Sequence, residues 1–570
     1  MSARYLVSPR GGRRGHRDIS SALAAAAAQR RPALIEIEPG HYEEALAVRG
    51  EVRLVATAGP GSVLVSAVRG TVLDACGSVS VHGLMLTGRD PGADVVACTG
   101  GTLALDHAEV RGHHAVSVHA RPHTTVTLRD STVLYGRTLF TGSRGLVERC
   151  RFTDAADNAL AVIEGADVAI RDSRIDGSRI HGVRVSDARA QVTGCELTGI
   201  GQAALAADTR ARLTVSGCTV TAVHAEGILF TEQAKGSVDG TRVTDAQHGV
   251  AVASGADLLV RGCVFADCRD SGINVHTAGR GRFEDCEVLG SGTLGVFSTT
   301  GGVIEADGVR IARGNVGIAV TDGGRGRFGR IAIEDLTGTA LRVFGDARAV
   351  FTDVRVDRCK AGLEGWGGAG TAAEVTGSTF RDLGTMAVAV AGQARVALTG
   401  VTAERAVLAF GVGEEAWLSL RDCTARELGA GGAIAFGQGQ LVARDLTVAG
   451  ARSYGLAGRD RAYVDVARGT FTDCAAAGAS FEGTCAGRMV DCAVEGDEGL
   501  AVLDNGHVDL TGLRTTLRVV AQPAEPAGPA PTVVNHFNGP VFNAAVHGAQ
   551  LAWNNTHAVQ QQTNEEGPGP

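Results

Sequence analysis

The sequence predicts an all-β fold, a right-handed single-stranded parallel β-helix of about 20 coils with an N-terminal cap helix. The first observation is a pattern that recurs every 22–23 residues along most of the chain, in which short apolar strands are separated by Gly or Asp corners. The second is an alternation of apolar and polar residues over four or five positions, which is typical of short half-buried strands. The third is composition, since 80 of the 570 residues are Gly and only 4% are aromatic, unlike one large globular core.

The first element is a cap over the open end of the solenoid, which we predict for residues 1–45. Asp18 is suited to be the N-cap of a helix with an apolar stripe, and a strand follows at 33–37. Arg13-Arg14 and the alanines that follow superficially resemble a twin-arginine leader, but the apolar run is short and ends in Gln29-Arg30-Arg31. We therefore expect an unsecreted, cytoplasmic protein.

The second element is the β-helix itself, predicted for residues 46–520 with three short strands in each coil. One position of each repeat is often Cys, and we expect its side chains to stack inside the coils as a column of small apolar groups about 4.8 Å apart. The thirteen cysteines are then free thiols in a reducing compartment. Along the chain the position falls at Leu84, His107, Ser131, Cys150, Ser173, Cys195, Cys218, Thr241, Cys263, Cys286, Gly308, Arg330, Asp353, Ser378, Val401, Cys423, Leu446, Thr470, Cys492 and Leu513.

The cap helix, the strand at 33–37 and the turn Glu38-Pro-Gly-His-Tyr together resemble the start of pectate-lyase-like β-helix proteins, and the resemblance covers about residues 15–515. The first coils also resemble the β-helix half of actinobacterial proteins that carry a CbxX-type AAA ATPase, although the chain contains no G-x-x-x-x-G-K-[ST] motif. The resemblance implies the fold and leaves activity open, because the superfamily includes lyases, hydrolases, esterases, epimerases and non-catalytic binders.

A first line of polar residues precedes the Gly-Val strands, at Asn158, His181, Gln202, Glu226, His248 and Ser271. Because Glu226 and His248 fall one coil apart, these two and His181 are the candidate residues for acid–base catalysis. The alternative interpretation is a polar entrance to the strand, where Asn, His and Ser suit the turn geometry.

A second line of polar residues consists of the carboxylates Glu164, Asp187, Asp208 and Glu232. Four carboxylates stacked about 5 Å apart must take up protons, bind a cation or pair with basic residues, and calcium is the cation that this ligand type favours. The alternative is a solvated face that is neutralised by the basic residues that follow in the sequence, namely Arg189, Arg210, Arg212 and Lys235.

Five histidines lie close together in the sequence, at His107, His113, His114, His119 and His123. Three converging imidazoles can bind zinc or copper, whereas the alternative interpretation is a group of ordinary loop histidines. No cofactor other than calcium or such a metal is predicted from the sequence.

The composition changes near the C-terminus. Residues 521–531 are rich in Pro and Ala and predict a semi-rigid linker. Residues 532–570 form an Asn- and Gln-rich segment that is uncharged until its last few residues, and we predict that it forms strands for self-association or for a protein partner. It resembles the amyloid-like signalling motifs of filamentous bacteria, and the alternatives are a C-terminal cap and a disordered tail. The apolar residues predicted to carry the interaction are Val533, Phe537, Val541, Phe542, Val546, Leu551 and Trp553.

Charge and patterning exclude two classes of partner. The formal net charge of -8 gives no basic surface for nucleic acid, and the chain contains no apolar run long enough to span a membrane. The sequence therefore favours a non-catalytic cytoplasmic scaffold or recognition module, with a glycan as a candidate ligand on its surface. The alternative is a calcium-dependent polysaccharide lyase or epimerase, and a tailspike-like rod is a third class.

Overall fold

The computed structural model describes residues 2–10, 15–29, 31–112, 116–497, 499–521, 542–546 and 549–551. In these residues the fold is an all-β parallel solenoid of about 21 turns with a single helix near the N-terminus, as the sequence predicts. The chain divides into two compact units, residues 1–338 and 339–570.

In the first unit each complete coil contributes one strand to each of three parallel sheets, which we number in chain order. In one coil these are Val183–Ser186 in sheet 1, Arg189–Thr193 in sheet 2 and Glu196–Ile200 in sheet 3, and each pairs in register with the coils before and after it. The strands of sheet 1 are Val116–Ala120, Arg137–Thr141, Leu160–Ile163, Val183–Ser186, Leu205–Asp208, Glu226–Phe230, His248–Val252, Ser271–Val275, Leu294–Ser298 and Val316–Val320.

The other two sheets of the first unit follow the same order of coils. The strands of sheet 2 are Ala3–Val7, Ala33–Ile37, Thr125–Arg129, Arg144–Glu148, Asp167–Arg171, Arg189–Thr193, Arg212–Ser216, Lys235–Asp239, Asp257–Arg261, Arg280–Glu284 and Val303–Asp307. The strands of sheet 3 are Gly40–Glu43, Val63–Ala67, Leu84–Gly88, Glu109–Gly112, Thr132–Leu134, Arg151–Ala155, Arg174–Ser178, Glu196–Ile200, Thr219–Val223, Arg242–Thr244, Val264–Ala266, Glu287–Leu289 and Arg310–Ala312. The long strands Leu46–Ala56, Leu73–His82 and Val96–Asp106 run from sheet 1 into sheet 2, and Arg325–Phe344 continues from sheet 2 into sheet 3.

The second unit also has three parallel sheets, and its strand Arg348–Gly367 contributes to all three. The strands of its first sheet are Met386–Gly392, Leu408–Val412, Gly431–Ala435, Tyr454–Gly458, Ala477–Phe481, Leu500–Asp504 and Arg518–Ala521. Those of its second sheet are Ala372–Thr376, Arg395–Thr399, Trp417–Arg421, Gln440–Arg444, Tyr463–Ala467, Ala486–Val490 and Val508–Asp509. Those of its third sheet are Thr379–Arg381, Thr402–Glu404, Thr424–Leu428, Thr447–Ala451, Thr470–Thr472, Ala493–Glu495 and Arg514–Thr515.

The N-terminal helix Ile19–Gln29 buries Ile19, Ala22, Leu23 and Ala26, which form the apolar stripe that the sequence predicts. Asp18 is its N-cap, because the carboxylate Oδ1 accepts a hydrogen bond of 2.7 Å from the backbone N–H of Ser21. One strand was not predicted. Ala3–Val7 precedes the helix and pairs in parallel with Ala33–Ile37, so sheet 2 begins before the cap helix.

In sheet 2 every second strand residue is buried, as in Arg189–Thr193, whereas strands of sheet 1 such as Leu205–Asp208 and Val316–Val320 are buried at every position. Large side chains fill the interior of the coils. Phe140 and Phe230 in sheet 1, Phe283 in sheet 2, and Phe152 and Phe265 in sheet 3 are each less than 2% exposed. Burying a Phe side chain in this way contributes about 1.5–3 kcal/mol. The core therefore lies inside the solenoid, and the outward side chains are available for function.

The corner between sheets 2 and 3 explains the recurring Cys. The Cys195 Sγ lies 3.4 Å from the carbonyl oxygen of Thr193, two residues earlier, and Ser173 makes the same contact to Arg171 at 2.7 Å. The Ser173 Oγ also accepts a hydrogen bond of 3.1 Å from the Cys150 N–H in the preceding coil. Cys, Ser or Thr occupies this corner position partly because its side chain is small. The side chain also forms hydrogen bonds with backbone groups that are buried there.

The residues at the recurring Cys position form a column along this corner. In five coils the sequence-based prediction of the column is wrong by one residue. The equivalent residues are Ala108 rather than His107, Val309 rather than Gly308, Ile331 rather than Arg330, Val354 rather than Asp353, and Gly469 rather than Thr470. The first four displaced predictions are the corner residues themselves, which have φ between 50° and 69°. Such a left-handed residue is what turns the chain from sheet 2 into sheet 3.

A separate antiparallel pair of strands, Phe542–Val546 and Ala549–Leu551, lies in the predicted interaction tail. It contains three of the predicted contact residues, Phe542, Val546 and Leu551. The other four, Val533, Phe537, Val541 and Trp553, lie outside the described residues, as does the predicted linker after Ala521.

Candidate functional site

The first polar line lies where the chain enters sheet 1. Glu226 and His248 are direct neighbours in the register of sheet 1, and Ser271 follows in the next coil. Gln202 does not belong to this column, because the residue equivalent to His181 is Ala203. The Nδ1 atom of His248 lies 2.7 Å from the hydroxyl of Ser271 and 3.8 Å from the carboxylate of Asp270.

The side chains of Glu226 and His248 do not form a direct acid–base pair. Within the described part of the chain, Glu226 makes no ion pair with His248, whose Nδ1 faces Ser271. Burial lowers the pKa of His181, and its Nδ1 accepts a hydrogen bond of 3.2 Å from the backbone N–H of Ala203. The imidazole of His181 therefore acts as a neutral acceptor that holds the turn between coils.

The second polar line is not one column. The residue equivalent to Glu164 and Asp187 in the next coil is Thr209, because Asp208 pairs with Ser186 in sheet 1. Asp208 is only 9% exposed and accepts a hydrogen bond of 2.8 Å from Arg184. Burial raises the pKa of its carboxyl, but hydrogen bonds from Arg184, Ser186 and Thr209 outweigh burial and lower it.

The remaining members of that line are exposed turn residues between sheets 1 and 2. Glu164, Asp187 and Glu232 have φ of 54°, 46° and 50°, so each is the left-handed residue of its turn. Glu232 accepts a hydrogen bond of 2.8 Å from Thr209, and Asp187 lies 3.8 Å from Arg210. The structure therefore does not bring the four predicted calcium ligands together.

The same turns border an open groove of about 680 Å³ in the first unit, which crosses five successive coils. We call it the arginine groove. It is lined by His123, Thr124, Thr125, Gly142, Ser143, Arg144, Gly165, Asp167, Asp187, Ala188, Arg189, Arg210 and Arg212. At about 4.8 Å per coil, its four steps extend roughly 19 Å.

Parallel register explains why the cations collect there. Arg144, Asp167, Arg189 and Arg212 are the first residues of successive strands of sheet 2, and Lys235 is the next member of this column. The first position of these strands points outward, because the second position is buried. An outward position repeated in register places its side chains side by side along the solenoid.

The guanidinium groups of this groove have few anionic partners. Among the described residues, Arg144, Arg189 and Arg212 make no ion pair, and Arg210 makes only the 3.8 Å contact to Asp187. Four arginines face two aspartates, so the groove is cationic in a chain whose net charge is -8. The Oγ of Ser143, in a residue only 4% exposed, also has no hydrogen-bond partner among the described residues. The arrangement can bind an anionic ligand through planar, charge-assisted hydrogen bonds.

This groove was not identified from the sequence, although its signal was present. Arg189, Arg210, Arg212 and Lys235 were interpreted as partners that neutralise the acidic line. Among the residues that the structure describes, these basic residues make one close contact of this kind, between Arg210 and Asp187, whose side chains are 70% and 58% exposed. Such an exposed pair contributes about 0–1 kcal/mol.

Of the five histidines that are close in the sequence, the three that the structure describes lie apart from one another. His119 is buried and lies 2.9 Å from Asp94 and 3.3 Å from the hydroxyl of Thr141. His123 lines the arginine groove, and His107 contacts Asp106 instead of another member of the group. His113 and His114 lie outside the described residues.

The cysteines are free thiols, and all but Cys76 are buried. Burial raises the pKa of the Cys150 thiol to about 11 and that of Cys485 to about 12. A thiol that stays protonated at neutral pH is a poor nucleophile, so Cys150 and Cys485 serve packing and not nucleophilic chemistry. None of the described helices has the length and apolar character to cross a membrane.

Comparison with known proteins agrees with this architecture. The family described as right handed beta helix region matches residues 95–220, 203–301 and 361–513, which is more than half of the chain. The chain therefore belongs to this family of right-handed β-helix proteins. No curated protein matches the sequence. The resemblance to actinobacterial CbxX-type proteins and to signalling-motif tails stays a prediction.

Three solved structures illustrate the likeness. The N-terminal fragment of bacteriophage Phi29 gene product 12 is 10% identical over 90% of this chain and 94% of that one, with a TM-score of 0.36. Pectin methylesterase from Aspergillus niger is 14% identical over 40% of this chain and 84% of that one, with a TM-score of 0.29. The Dettilon tailspike protein is 13% identical over 53% and 64%, with a TM-score of 0.37. At such scores the family assignment rests on the sequence match alone.

Proposed function

We propose that this protein is a non-catalytic β-helix recognition module that binds an acidic glycan along the arginine groove. The observation that carries the proposal is the set of exposed guanidinium groups of Arg144, Arg189 and Arg212, which are aligned in register without carboxylate partners among the described residues. A cationic side chain without a partner in the protein is available for one in a ligand.

The chemistry of the groove favours an acidic glycan over other anionic polymers. Its lining includes no Trp, Tyr or Phe, whereas binding of single-stranded nucleic acid relies on aromatic stacking. The net charge of -8 also opposes a long, densely charged polyanion, while a short acidic oligosaccharide contacts only the local cations. Carboxylate or sulfate groups that repeat along a sugar chain match arginines that repeat along the coils.

The test is isothermal titration calorimetry of the full-length protein with a short dextran sulfate oligomer, with oligogalacturonate and with an uncharged dextran oligomer of matched length. We expect binding of the acidic oligomers that weakens with salt, and no binding of the dextran oligomer. The triple variant Arg144→Gln/Arg189→Gln/Arg212→Gln loses three contacts of about 1 kcal/mol each, so its affinity falls roughly 100-fold.

The matched control is Arg325→Gln/Arg348→Gln/Arg395→Gln, which removes three arginines from the equivalent strand position outside the groove. We expect it to bind within roughly threefold of the wild type, since none of these three arginines lines the groove and salt screens exposed charges that do not contact the ligand. Equal losses in the two triple variants would indicate nonspecific charge attraction and contradict the proposal. Preferential binding of single-stranded DNA would contradict the choice of a glycan.

The C-terminal tail is the assembly element in this proposal, and the free thiols support a reducing, cytoplasmic location. The strands Phe542–Val546 and Ala549–Leu551 pair only with each other among the described residues. A lone two-stranded hairpin is marginally stable, which favours pairing with a second tail or with a partner strand.

Sedimentation velocity tests this role of the tail. We expect the full-length protein to self-associate and a chain that ends at Ala521 to stay monomeric at the same concentration. Val546→Lys, which places a charge in an otherwise uncharged strand, is the point variant that should act like the truncation. Identical sedimentation of all three would contradict self-assembly through the tail.

A second candidate function is a calcium-dependent polysaccharide lyase or epimerase. The observation that favours it is that Glu226 and His248 occupy the same strand entrance in adjacent coils, where both side chains can contact one bound ligand without pairing with each other. This function predicts a calcium-dependent change in an acidic polysaccharide that Glu226→Gln abolishes. In the lyase case, absorbance of the unsaturated product is the readout. An unchanged polymer after prolonged incubation with calcium leaves the non-catalytic proposal in place.

A further inference from the structure

Two histidines and one aspartate converge at the outer edge of sheet 2 in the first unit. His82 and Asp106 end the long strands Leu73–His82 and Val96–Asp106, and they are direct neighbours in the register. His107 follows Asp106 and has a φ of 50°, so the chain turns at once towards sheet 3. We call these three residues the His–Asp–His cluster.

The geometry of this cluster is that of a carboxylate held between two imidazoles. The Asp106 Oδ2 lies 2.8 Å from the Nδ1 of His82, and its Oδ1 lies 3.0 Å from the Nδ1 of His107. The two imidazole rings are 5.3 Å apart between centroids and inclined by 52°. One ligand atom from each residue lies within 4.8 Å of the other two.

We propose that His82, Asp106 and His107 bind a divalent transition metal of the zinc class, with water completing the coordination. Two imidazole nitrogens and one carboxylate oxygen are a ligand set that zinc accepts, at about 2.0–2.2 Å. A tetrahedral arrangement at these lengths requires ligand atoms about 3.4 Å apart, so the three atoms, which lie within 4.8 Å of one another, must move closer when the metal binds. The inference is independent of glycan binding, because none of the three residues lines the arginine groove.

The surroundings leave the cluster accessible. The side chains of His82, Asp106 and His107 are 31%, 41% and 48% exposed, so a hydrated ion reaches them directly. Arg129 is the next residue along the column after Asp106, but its guanidinium contacts Glu148 at 3.2 Å.

The ligand types select the metal. Calcium and magnesium prefer sites made of oxygen atoms, whereas imidazole nitrogen favours zinc, copper, nickel and cobalt. The buried cysteines do not compete, since burial keeps the thiol of Cys98, for example, protonated by raising its pKa. The cluster is therefore a candidate structural clamp between two coils, and the exposed position leaves room for a water or ligand on the metal.

The experiment is titration of the full-length protein with Co²⁺, followed by visible absorption and then by displacement with Zn²⁺. We expect one saturable site with nitrogen and oxygen ligation and without a thiolate-to-cobalt charge-transfer band. His82→Gln/His107→Gln should weaken binding by at least ~10-fold, since changes to residues that only support metal ligands already cost 10–100-fold. Asp106→Asn should weaken it as well.

Matched variants separate this site from other histidines. His224→Gln/His507→Gln removes two exposed histidines elsewhere and should leave the cobalt spectrum unchanged. His113→Gln/His114→Gln tests the neighbouring sequence cluster and should also leave it unchanged. Unaltered binding in His82→Gln/His107→Gln, with its circular dichroism spectrum intact, would overturn the proposal. Loss of binding in the His113/His114 variant, or a thiolate band, would also overturn it.

Discussion

The corner hydrogen bonds between sheets 2 and 3 make a sharp prediction for Ser173. The Ser173 Oγ accepts the Cys150 N–H at 3.1 Å and donates to the Arg171 carbonyl at 2.7 Å, and the residue is only 3% exposed. Ser173→Ala leaves the buried Cys150 N–H without this partner, whereas the Arg171 carbonyl still accepts the N–H of Arg149 at 3.1 Å. Leaving a buried polar group unpaired costs about 1–3 kcal/mol.

The assay is native-state hydrogen exchange of the peptide that contains the Cys150 amide. A local loss of about 1–3 kcal/mol accelerates its exchange roughly 5- to 150-fold. Ser173→Cys should stay within about 1 kcal/mol of the wild type, because Cys occupies the equivalent position at Cys195 and makes the same contact to a carbonyl.

Ser117 supplies the matched control. It is fully buried, and its Oγ has no hydrogen-bond partner among the described residues. Ser117→Ala should therefore be neutral or slightly stabilising, since it removes a buried hydroxyl that makes no bond. The comparison is between the acceleration of the Cys150 peptide in Ser173→Ala and that of the Ser117 peptide in Ser117→Ala. If the first is no larger than the second, the corner hydrogen bonds do not stabilise the coil, and the explanation of the recurring Cys is incorrect.

Two further predictions concern backbone packing and acid stability. Gly236→Ala places a Cβ 1.9 Å from the carbonyl oxygen of Leu213 and should lower the free energy of unfolding in urea by about 3 kcal/mol. The Cβ of Gly240→Ala meets no atom within 4 Å, so this variant should lose only about 1–2 kcal/mol because of its φ of 55°. Equal losses in the two variants would contradict this packing. Arg488 and Arg444 lower the pKa of Asp465 to about 2. The ionised Asp465 therefore stabilises the fold fully at pH values above the pKa of Asp in the unfolded chain, ~3.9, and this stabilisation is lost as the pH falls towards 2. Asp465→Asn should flatten that part of the pH–stability curve, and an unchanged curve would show that the ion pair is not responsible.

The sequence was sufficient for the architecture because each coil repeats the same local rules. The alternation of apolar and polar residues in short strands and the Asp18 cap are both local features, and the structure confirms them. The exact register was harder to predict, because turns differ by one residue between coils. Asp208 illustrates the consequence, since one residue of displacement moves it from the turn column to an ion pair with Arg184.

The candidate sites depend on contacts between coils, and there the sequence was less informative. His107 was grouped with histidines near it in the sequence, whereas the parallel coil places it against His82 from the preceding coil. Arg189 and Arg212 were assigned carboxylate partners by proximity in the sequence, but their neighbours in sheet 2 include each other. In a solenoid, the relevant neighbour lies one repeat away, so a register error of one residue changes the chemistry that is inferred.

The most direct test of the central proposal is hydrogen exchange of the full-length protein with and without a dextran sulfate oligomer. We expect slower exchange of peptides that cover 123–125, 142–144, 165–167, 187–189 and 210–212, and unchanged exchange in residues 339–521. Protection confined to the Glu226–His248 strand entrances, or protection spread evenly over both units, would contradict recognition by the arginine groove.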